Sequence, residues 1–373
     1  MITCEFFYNY LLGKQVDFFT GVPDSLLKNI CAYIMDHADN HVIAANEGGA
    51  VALAVGHYLT SSRLALVYMQ NSGQGNAVNP LASLSDSAVY GIPMLLLIGW
   101  RGEPGIKDEP QHVKQGEITL KLLEVLGIPY DILPTVQEDA VKCIDEKLNW
   151  SKQNNAPSAL VVKKGTFAEY NLAGSRVNSA KITREKAVQL VTQELMPSDI
   201  VVATTGKISR ELYEYRDQSG DDHSKDFLTV GSMGHASQIA LGIALDKRCR
   251  KVFCFDGDGA VIMHMGAFAI TGSSNAVNFK HIIFNNGAHD SVGGQPTVGL
   301  DISFTKIASA CGYKTVLQAI SADDITEKMQ QLKIVEGPAL LEIRVQKGAR
   351  SDLGRPKTSP QENKRSFMEF LSS

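Results

Sequence analysis

The 373-residue chain has six cysteines but no CxxC pair: they stand singly at positions 4, 31, 143, 249, 254 and 311. That spacing argues against zinc and dithiol-redox motifs and predicts buried free thiols in a reducing compartment. A dinucleotide-binding G-x-G-x-x-G is also missing. Gly21-Val22-Pro23 and Thr205-Gly206-Lys207 stand where one would be needed, after the first strand of each half. A complete Walker A motif is absent, because Ile208 rather than Ser or Thr follows Lys207. Residues 92–98 form the longest apolar stretch, far too short to span a bilayer. Met1-Ile2-Thr3-Cys4-Glu5 lacks the basic start of a signal peptide. The expectation is a soluble cytoplasmic protein. Strong charge of one sign is lacking too: the formal net charge is -4, which suggests neither nucleic acid nor an anionic membrane as partner.

What is present is ordinary globular composition, 44% hydrophobic and 20% charged, in a chain long enough for two domains. Short apolar runs at 16–19, 42–45, 64–69, 94–98, 130–133 and 160–162 read as strands. Helix-like stretches at 24–35, 47–59, 119–126 and 138–150 lie among them. The pattern restarts after a polar segment. Strands are expected at 200–203, 227–230, 252–255, 281–284, 314–317 and 340–345. Helices are expected at 183–196, 207–215, 235–245, 263–274, 304–311 and 322–335. Alternation of this kind predicts an α/β chain with two doubly wound parallel-sheet domains. Their expected bounds are 1–168 and 183–346, joined by a linker at 169–182. A basic tail at 347–373 carries Lys347, Arg350, Arg355, Lys357, Lys364 and Arg365. It reads equally as a solvated end or as an arm that wraps a neighbour or helps to hold an anion.

Chemistry concentrates after the strand at 252–255. Phe255-Asp256-Gly257-Asp258-Gly259-Ala260 puts a carboxylate between two glycines at the strand's carboxyl end, where open α/β sheets bind ligands. The next strand ends on Asn285-Asn286, with 25 residues between Gly259 and Asn285. Carboxylate and amide oxygens side by side suit a hard cation such as Mg²⁺. Asp-Gly or Asn-Asn-Gly alone is a common turn. The two at this spacing, each after a strand, form a far more specific signal. It resembles the diphosphate-binding signature of thiamine-diphosphate enzymes.

The resemblance extends to most of the chain. Its residues include Gly21-Val22-Pro23-Asp24-Ser25, Asn46-Glu47-Gly48-Gly49, Thr204-Thr205-Gly206-Lys207-Ile208-Ser209-Arg210, Gly231-Ser232-Met233-Gly234, Asn286-Gly287-Ala288-His289-Asp290-Ser291 and Lys347-Gly348-Ala349-Arg350. The chain resembles thiamine-diphosphate-dependent 2-oxo acid decarboxylases of the short type without a middle domain. Likeness is greatest to members that convert 3-phosphonopyruvate to phosphonoacetaldehyde and CO₂, in phosphonate biosynthesis of the 2-aminoethylphosphonate kind.

The resemblance implies a pyrimidine-binding first domain and a diphosphate-binding second domain. Asp258, Asn286 and the Ala288 carbonyl would hold Mg²⁺, with Gly257, Gly259 and Ala260 at the diphosphate. Glu47 would sit on N1′ of the aminopyrimidine and favour the tautomer that deprotonates the thiazolium. Gly231, Ser232 and Met233 would hold the pyrimidine and wedge the bent cofactor, with Thr205 and Gly206 nearby. Asp24 would be a proton-transfer group and His112 a second catalytic candidate. Substrate candidates are Asp24, Ser25, Ser291 and the cations Arg101, Lys107, His112 and Lys114 of the loop at 99–115. The paired histidines of pyruvate-type decarboxylases are missing, and Val292 stands where their glutamate would be, so the resemblance implies protonation by other groups. The implied assembly is a homodimer or higher homo-oligomer with active sites at the chain interface. Three alternatives stay open: sulfopyruvate decarboxylase, a nucleotide-binding oxidoreductase, and a non-catalytic homologue, which should have lost Glu47 or Asp258.

Overall fold

A computed structural model describes residues 1–174 and 179–373. The chain falls into two compact units, 1–175 and 176–373. Of the expected linker, residues 175–178 lie outside the described residues.

The first unit is built on six parallel strands: β1 (Phe18–Gly21), β2 (His41–Ile43), β3 (Ala65–Gln70), β4 (Leu95–Gly99), β5 (Tyr130–Ile132) and β6 (Ser158–Val162). Their spatial order is β2-β1-β3-β4-β6-β5. Both faces are covered. Leu66, Tyr68, Leu95, Leu97, Leu160 and Val162 enter one core, while Val67, Met69, Leu96, Ile98, Ala159 and Val161 enter the other. That two-sided burial is why these strands read as continuous apolar runs rather than alternating ones.

The second unit holds β7 (Ile200–Ala203), β8 (Asp226–Leu228), β9 (Val252–Gly257), β10 (Phe279–Asn285), β11 (Thr315–Ala319) and β12 (Ala339–Arg344), again parallel. Their order is β11-β12-β10-β9-β7-β8. Read from β8, this is the same winding as in the first sheet. In each, the chain goes outward from the first strand, then returns to lay the third strand on the other side. The carboxyl ends of β1 and β3, and of β7 and β9, therefore flank a topological switch point, where such sheets open a crevice.

Each expected strand is present, with ends shifted by a few residues. The helices differ more. The helix expected at 119–126 runs Pro110–Val125, opened by proline in its first turn, so His112 and Lys114 lie on a helix rather than in a loop. The helix expected at 263–274 is two helices, Asp258–Met263 and Ala267–Gly272, because His264 leaves helical geometry at φ -134° and ψ 49°. Helix Lys28–His37 begins later than expected, after the turn at Asp24. Helix Cys4–Gly13 was not foreseen.

The basic tail is not a solvated end: it docks on its own unit. Ser359 and Glu362 form a capping box that starts helix Pro360–Ser372. Asn363 accepts from the Leu228 amide at 3.1 Å and donates to the Asp226 carbonyl at 2.8 Å, so the outer edge of β8 is satisfied. Phe367 is buried against Phe227, with ring centroids 5.4 Å apart. Arg350 pairs with Glu185 and Glu214, and Lys357 with Asp217. Truncating Phe367→Ala should destabilise the second unit by about 3–5 kcal/mol. Denaturant unfolding followed by fluorescence should show an earlier transition; an unchanged midpoint would mean the helix contributes nothing.

Candidate active site

In the second unit, Asp258 is the first residue of the helix that follows β9 and is 2% exposed. One carboxylate oxygen accepts from the Thr297 hydroxyl, the other from the Asn286 backbone amide at 3.4 Å. Burial nevertheless pushes its pKa up to about 6, against those two hydrogen bonds. A β-carbon on Gly299 would lie 2.7 Å from the carboxylate, so only glycine lets that backbone pass. A carboxylate this dry costs free energy while charged, unless a cation compensates it.

Asn286 lies opposite, after β10. Its Nδ2 donates to Asp290 Oδ2 at 2.8 Å, and its Oδ1 accepts from the Ala288 amide at 3.0 Å. This fixes which end of the amide faces which way. The same Asp290 oxygen accepts from Arg184 Nη1 at 2.8 Å and from the Gly348 amide at 2.9 Å. Arg184, 4% exposed, also grips Glu211 through Nε and Nη2, each at 2.9 Å. Charge-assisted, forked pairing of this kind is strong and directional. Asp258, Asn286 and the Ala288 carbonyl thus offer an all-oxygen donor set, which fits Mg²⁺ chemistry.

The Gly231–Gly234 turn comes up beside this helix. Gly231, Ser232 and Gly234 all have left-handed φ, at 69°, 46° and 87°. A β-carbon on Gly234 would lie 3.0 Å from the Ala260 carbonyl. Met233 and His289 flank Gly259: a β-carbon there would lie 3.4 Å from Met233 Cε and 3.2 Å from the His289 ring. Burial pushes the His289 pKa down to about 4, so its imidazole is neutral at neutral pH. Thr205 Oγ1 accepts from the Gly231 amide at 3.1 Å, which ties the β7 turn to this segment. Gly206 has φ 103°, and a β-carbon there would lie 3.0 Å from Ser291 Oγ. The unit thus gathers Thr205, Gly206, Gly231, Met233, Asp258, Gly259, Asn286 and Ser291 at the carboxyl edge of one sheet. Asp290, Arg184 and His289 were not singled out from sequence. The first and last stand inside the quoted motif, but nothing local marks Arg184.

In the first unit, Glu47 opens helix Glu47–Ser61, capped by Asn46, and is 5% exposed. Asn76 donates to Glu47 Oε2 at 2.7 Å. Gly73 leaves room for the carboxylate, since a β-carbon there would lie 2.2 Å from Oε1. A helix N-terminus is a favourable place for this charge.

Asp24 is fully buried at the β1/β3 switch point. Its oxygens accept from the Leu26 and Leu27 amides, at 2.8 and 3.3 Å, and from Gln70 at 2.7 Å. With both oxygens occupied, it holds the turn, and this occupancy weighs against proton transfer. Arg101 is similarly spent. It donates to Asp108 through two nitrogens and to Ser25 Oγ at 2.6 Å. Asp108 also meets His112 Nδ1 at 2.9 Å. Although burial works the other way, Arg101 and His112 hold the Asp108 carboxyl well below the usual carboxylate range. Burial lowers the His112 pKa despite Asp108, which leaves a neutral imidazole at neutral pH. Lys114 is exposed and paired with Glu117, and Lys107 is exposed, so neither shares this cluster.

Because Asp290 orients the amide of Asn286, Asp290→Asn should weaken divalent-metal binding by about 10–100-fold, the usual cost of losing such an outer partner. Titration with Mn²⁺ followed by magnetic resonance checks this. Unaltered affinity would show that the amide needs no orienting partner.

Comparison with known proteins follows the same two-part division. Residues 1–123 match the thiamine pyrophosphate enzyme, N-terminal TPP binding domain, and residues 204–343 match the thiamine pyrophosphate enzyme, C-terminal TPP binding domain. The chain is 35% identical to a phosphonopyruvate decarboxylase of Streptomyces hygroscopicus, covering 97% of this chain and 92% of the relative. It is 34% identical to another from Streptomyces viridochromogenes, covering 97% and 93%. A sulfopyruvate decarboxylase of Methanosarcina acetivorans is 25% identical, covering 95% and 94%. No described helix is long and apolar enough to cross a membrane. A two-sheet chain with a buried Asp-Asn oxygen pair in its second unit, matched along nearly its whole length, belongs to the thiamine pyrophosphate enzymes and, within them, to the phosphonopyruvate decarboxylase family.

Proposed function

We propose that this protein decarboxylates 3-phosphonopyruvate to phosphonoacetaldehyde and CO₂, using thiamine diphosphate and Mg²⁺, as a cytoplasmic homodimer or higher homo-oligomer. The reaction takes up one proton as the carboxylate leaves as CO₂. The observation that carries the reading is the buried Asp258 carboxylate facing Asn286, whose amide is oriented by Asp290. Near full-length likeness to phosphonopyruvate decarboxylases supports the substrate.

Bound thiamine diphosphate supplies a carbon nucleophile and a sink for the electron pair released with CO₂. The chain's own groups do the rest. Asp258, Asn286 and the Ala288 carbonyl would hold the metal, and Gly257, Gly259 and Ala260 would let the backbone approach the diphosphate. Gly231, Ser232 and Met233 position the pyrimidine, with Thr205 and Gly206 beside them. Glu47, held by Asn76, would meet the pyrimidine and favour its reactive tautomer. In His112, Nδ1–H is held by the Asp108 carboxylate, so Nε2 is the ring nitrogen that can take a proton from solvent and pass it on. Arg101 and Ser25 keep the Asp108–His112 pair in place. Asp24 holds the neighbouring turn through Gln70 and the Leu26 amide. Product phosphonoacetaldehyde feeds phosphonate biosynthesis.

Glu47→Gln should leave the fold intact and slow hydrogen–deuterium exchange at C2 of bound cofactor by about 10²–10⁴-fold. An unchanged exchange rate excludes this role. For the substrate, kcat/KM should fall in the order phosphonopyruvate, sulfopyruvate, pyruvate. Pyruvate should lose on the order of 10⁴-fold, because buried donors meant for the anion stay unpaired. The sulfopyruvate decarboxylase likeness makes the first two the informative comparison. A higher value for sulfopyruvate or pyruvate removes the substrate claim and leaves the cofactor claim standing.

A further inference from the structure

Most interior cations in the second unit are neutralised by carboxylates. Arg184 is held by Glu211 and Asp290, Arg216 by Asp221 and Asp226, Arg344 by Glu342, and Lys333 by Glu194. Lys280, Lys347 and Arg250 are held by backbone carbonyls instead. Lys207 and Arg210 open helix Lys207–Ser219, one turn apart on the same face, and both are half-buried. Neither has a hydrogen-bonding or ion-pair partner among the described residues. Burial lowers the pKa of each. Asp290 Oδ2 already accepts from Arg184, Asn286 and Gly348, and Asp290 and Glu211 favour the charged Lys207 only at a distance, without a hydrogen bond to it. Partial desolvation of two like charges without a counter-ion costs free energy, and an anion from outside the chain removes that cost.

Their place in the fold fits such a ligand. The helix follows β7, so the pair stands at the β7/β9 switch point. Gly206, immediately before it, packs beside the open hydroxyl of Ser291, five residues beyond Asn286. Thr205 is tied to Gly231. The pair therefore lies between the Gly231–Met233 turn and the loop that follows the oxygen-donor set.

We propose that Lys207 and Arg210, with Ser291, form the subsite for the dianionic phosphonate of the substrate. This rests on the substrate reading above. It moves anion recognition from the first unit, where Arg101 is already saturated by Asp108, to the second. The cofactor diphosphate is the other anion available. It is the weaker fit, because its charge would already meet the metal and the Gly259 and Ala260 backbone.

The test uses Lys207→Gln, Arg210→Gln and the conservative Lys207→Arg in holoenzyme with saturating Mg²⁺. Each Gln variant should lower the phosphonopyruvate-to-pyruvate ratio of kcat/KM by about 10–100-fold, as expected for one charge-assisted hydrogen bond. Loss should fall mainly on KM, and Lys207→Arg should recover part of it. Methylphosphonate should inhibit wild type competitively and the Gln variants more weakly. Thermal midpoints of ligand-free protein should hold or rise, since an uncompensated charge has been removed; a merely structural role predicts the opposite. Parallel loss with both substrates overturns the proposal. So does weaker thiamine-diphosphate binding by calorimetry, which would assign the pair to the cofactor. If wild type itself prefers sulfopyruvate, the substrate reading fails, while loss of sulfopyruvate discrimination in the variants still reports the anion subsite.

Discussion

Taking the Asp258 carboxylate out of water is the constraint on which the second unit turns. A charge placed there is destabilising by itself, and the pKa of about 6 expresses that cost. Every neighbour bears on it. Thr297 and the Asn286 amide supply hydrogen bonds, Gly299 supplies space, and the ends of β9 and β10 bring carboxylate and amide together. Natural proteins tolerate local strain of this sort where a ligand later relieves it. The site is therefore an expensive feature held by a stiff parallel sheet, not a chance grouping of polar residues.

The two sheets share one winding yet use it for different chemistry. In the first, Gln70 donates to Asp24 across the switch point. In the second, the same position carries a glycine turn, an open serine hydroxyl and two cations without partners among the described residues. Identical topology puts a switch point in both places; the side chains decide what each can bind.

Much of this was legible in the sequence because it rests on local pattern. All twelve strands announce themselves as apolar runs, and the pair Asp258 and Asn286 stands out by spacing after two of them. Helix Pro110–Val125 was read short because its first turns are polar and face a charged cluster rather than the core. Helix Pro360–Ser372 was hidden by a basic composition that resembles a solvated end; its anchors, Asn363 and Phe367, matter only once β8 is present to receive them. Arg184 and Asp290 lie 106 residues apart, and no sequence pattern links them. For Asp24 the motif marks a turn, and only the structure reveals that both oxygens accept hydrogen bonds within the unit.

Asp290 Oδ2 accepts at once from the side chain of Asn286, from Arg184 and from the backbone of Gly348. One oxygen atom is thus the common anchor of an active-site amide, a buried arginine and the segment leading away from β12. On the proposed metal assignment, these are linked equilibria. Whatever tightens the path of residues 347–350 must favour metal retention, and metal retention must tighten that path by the same factor. Limited proteolysis within that segment then becomes an indirect gauge of cofactor loading, read far more simply than by following the reaction.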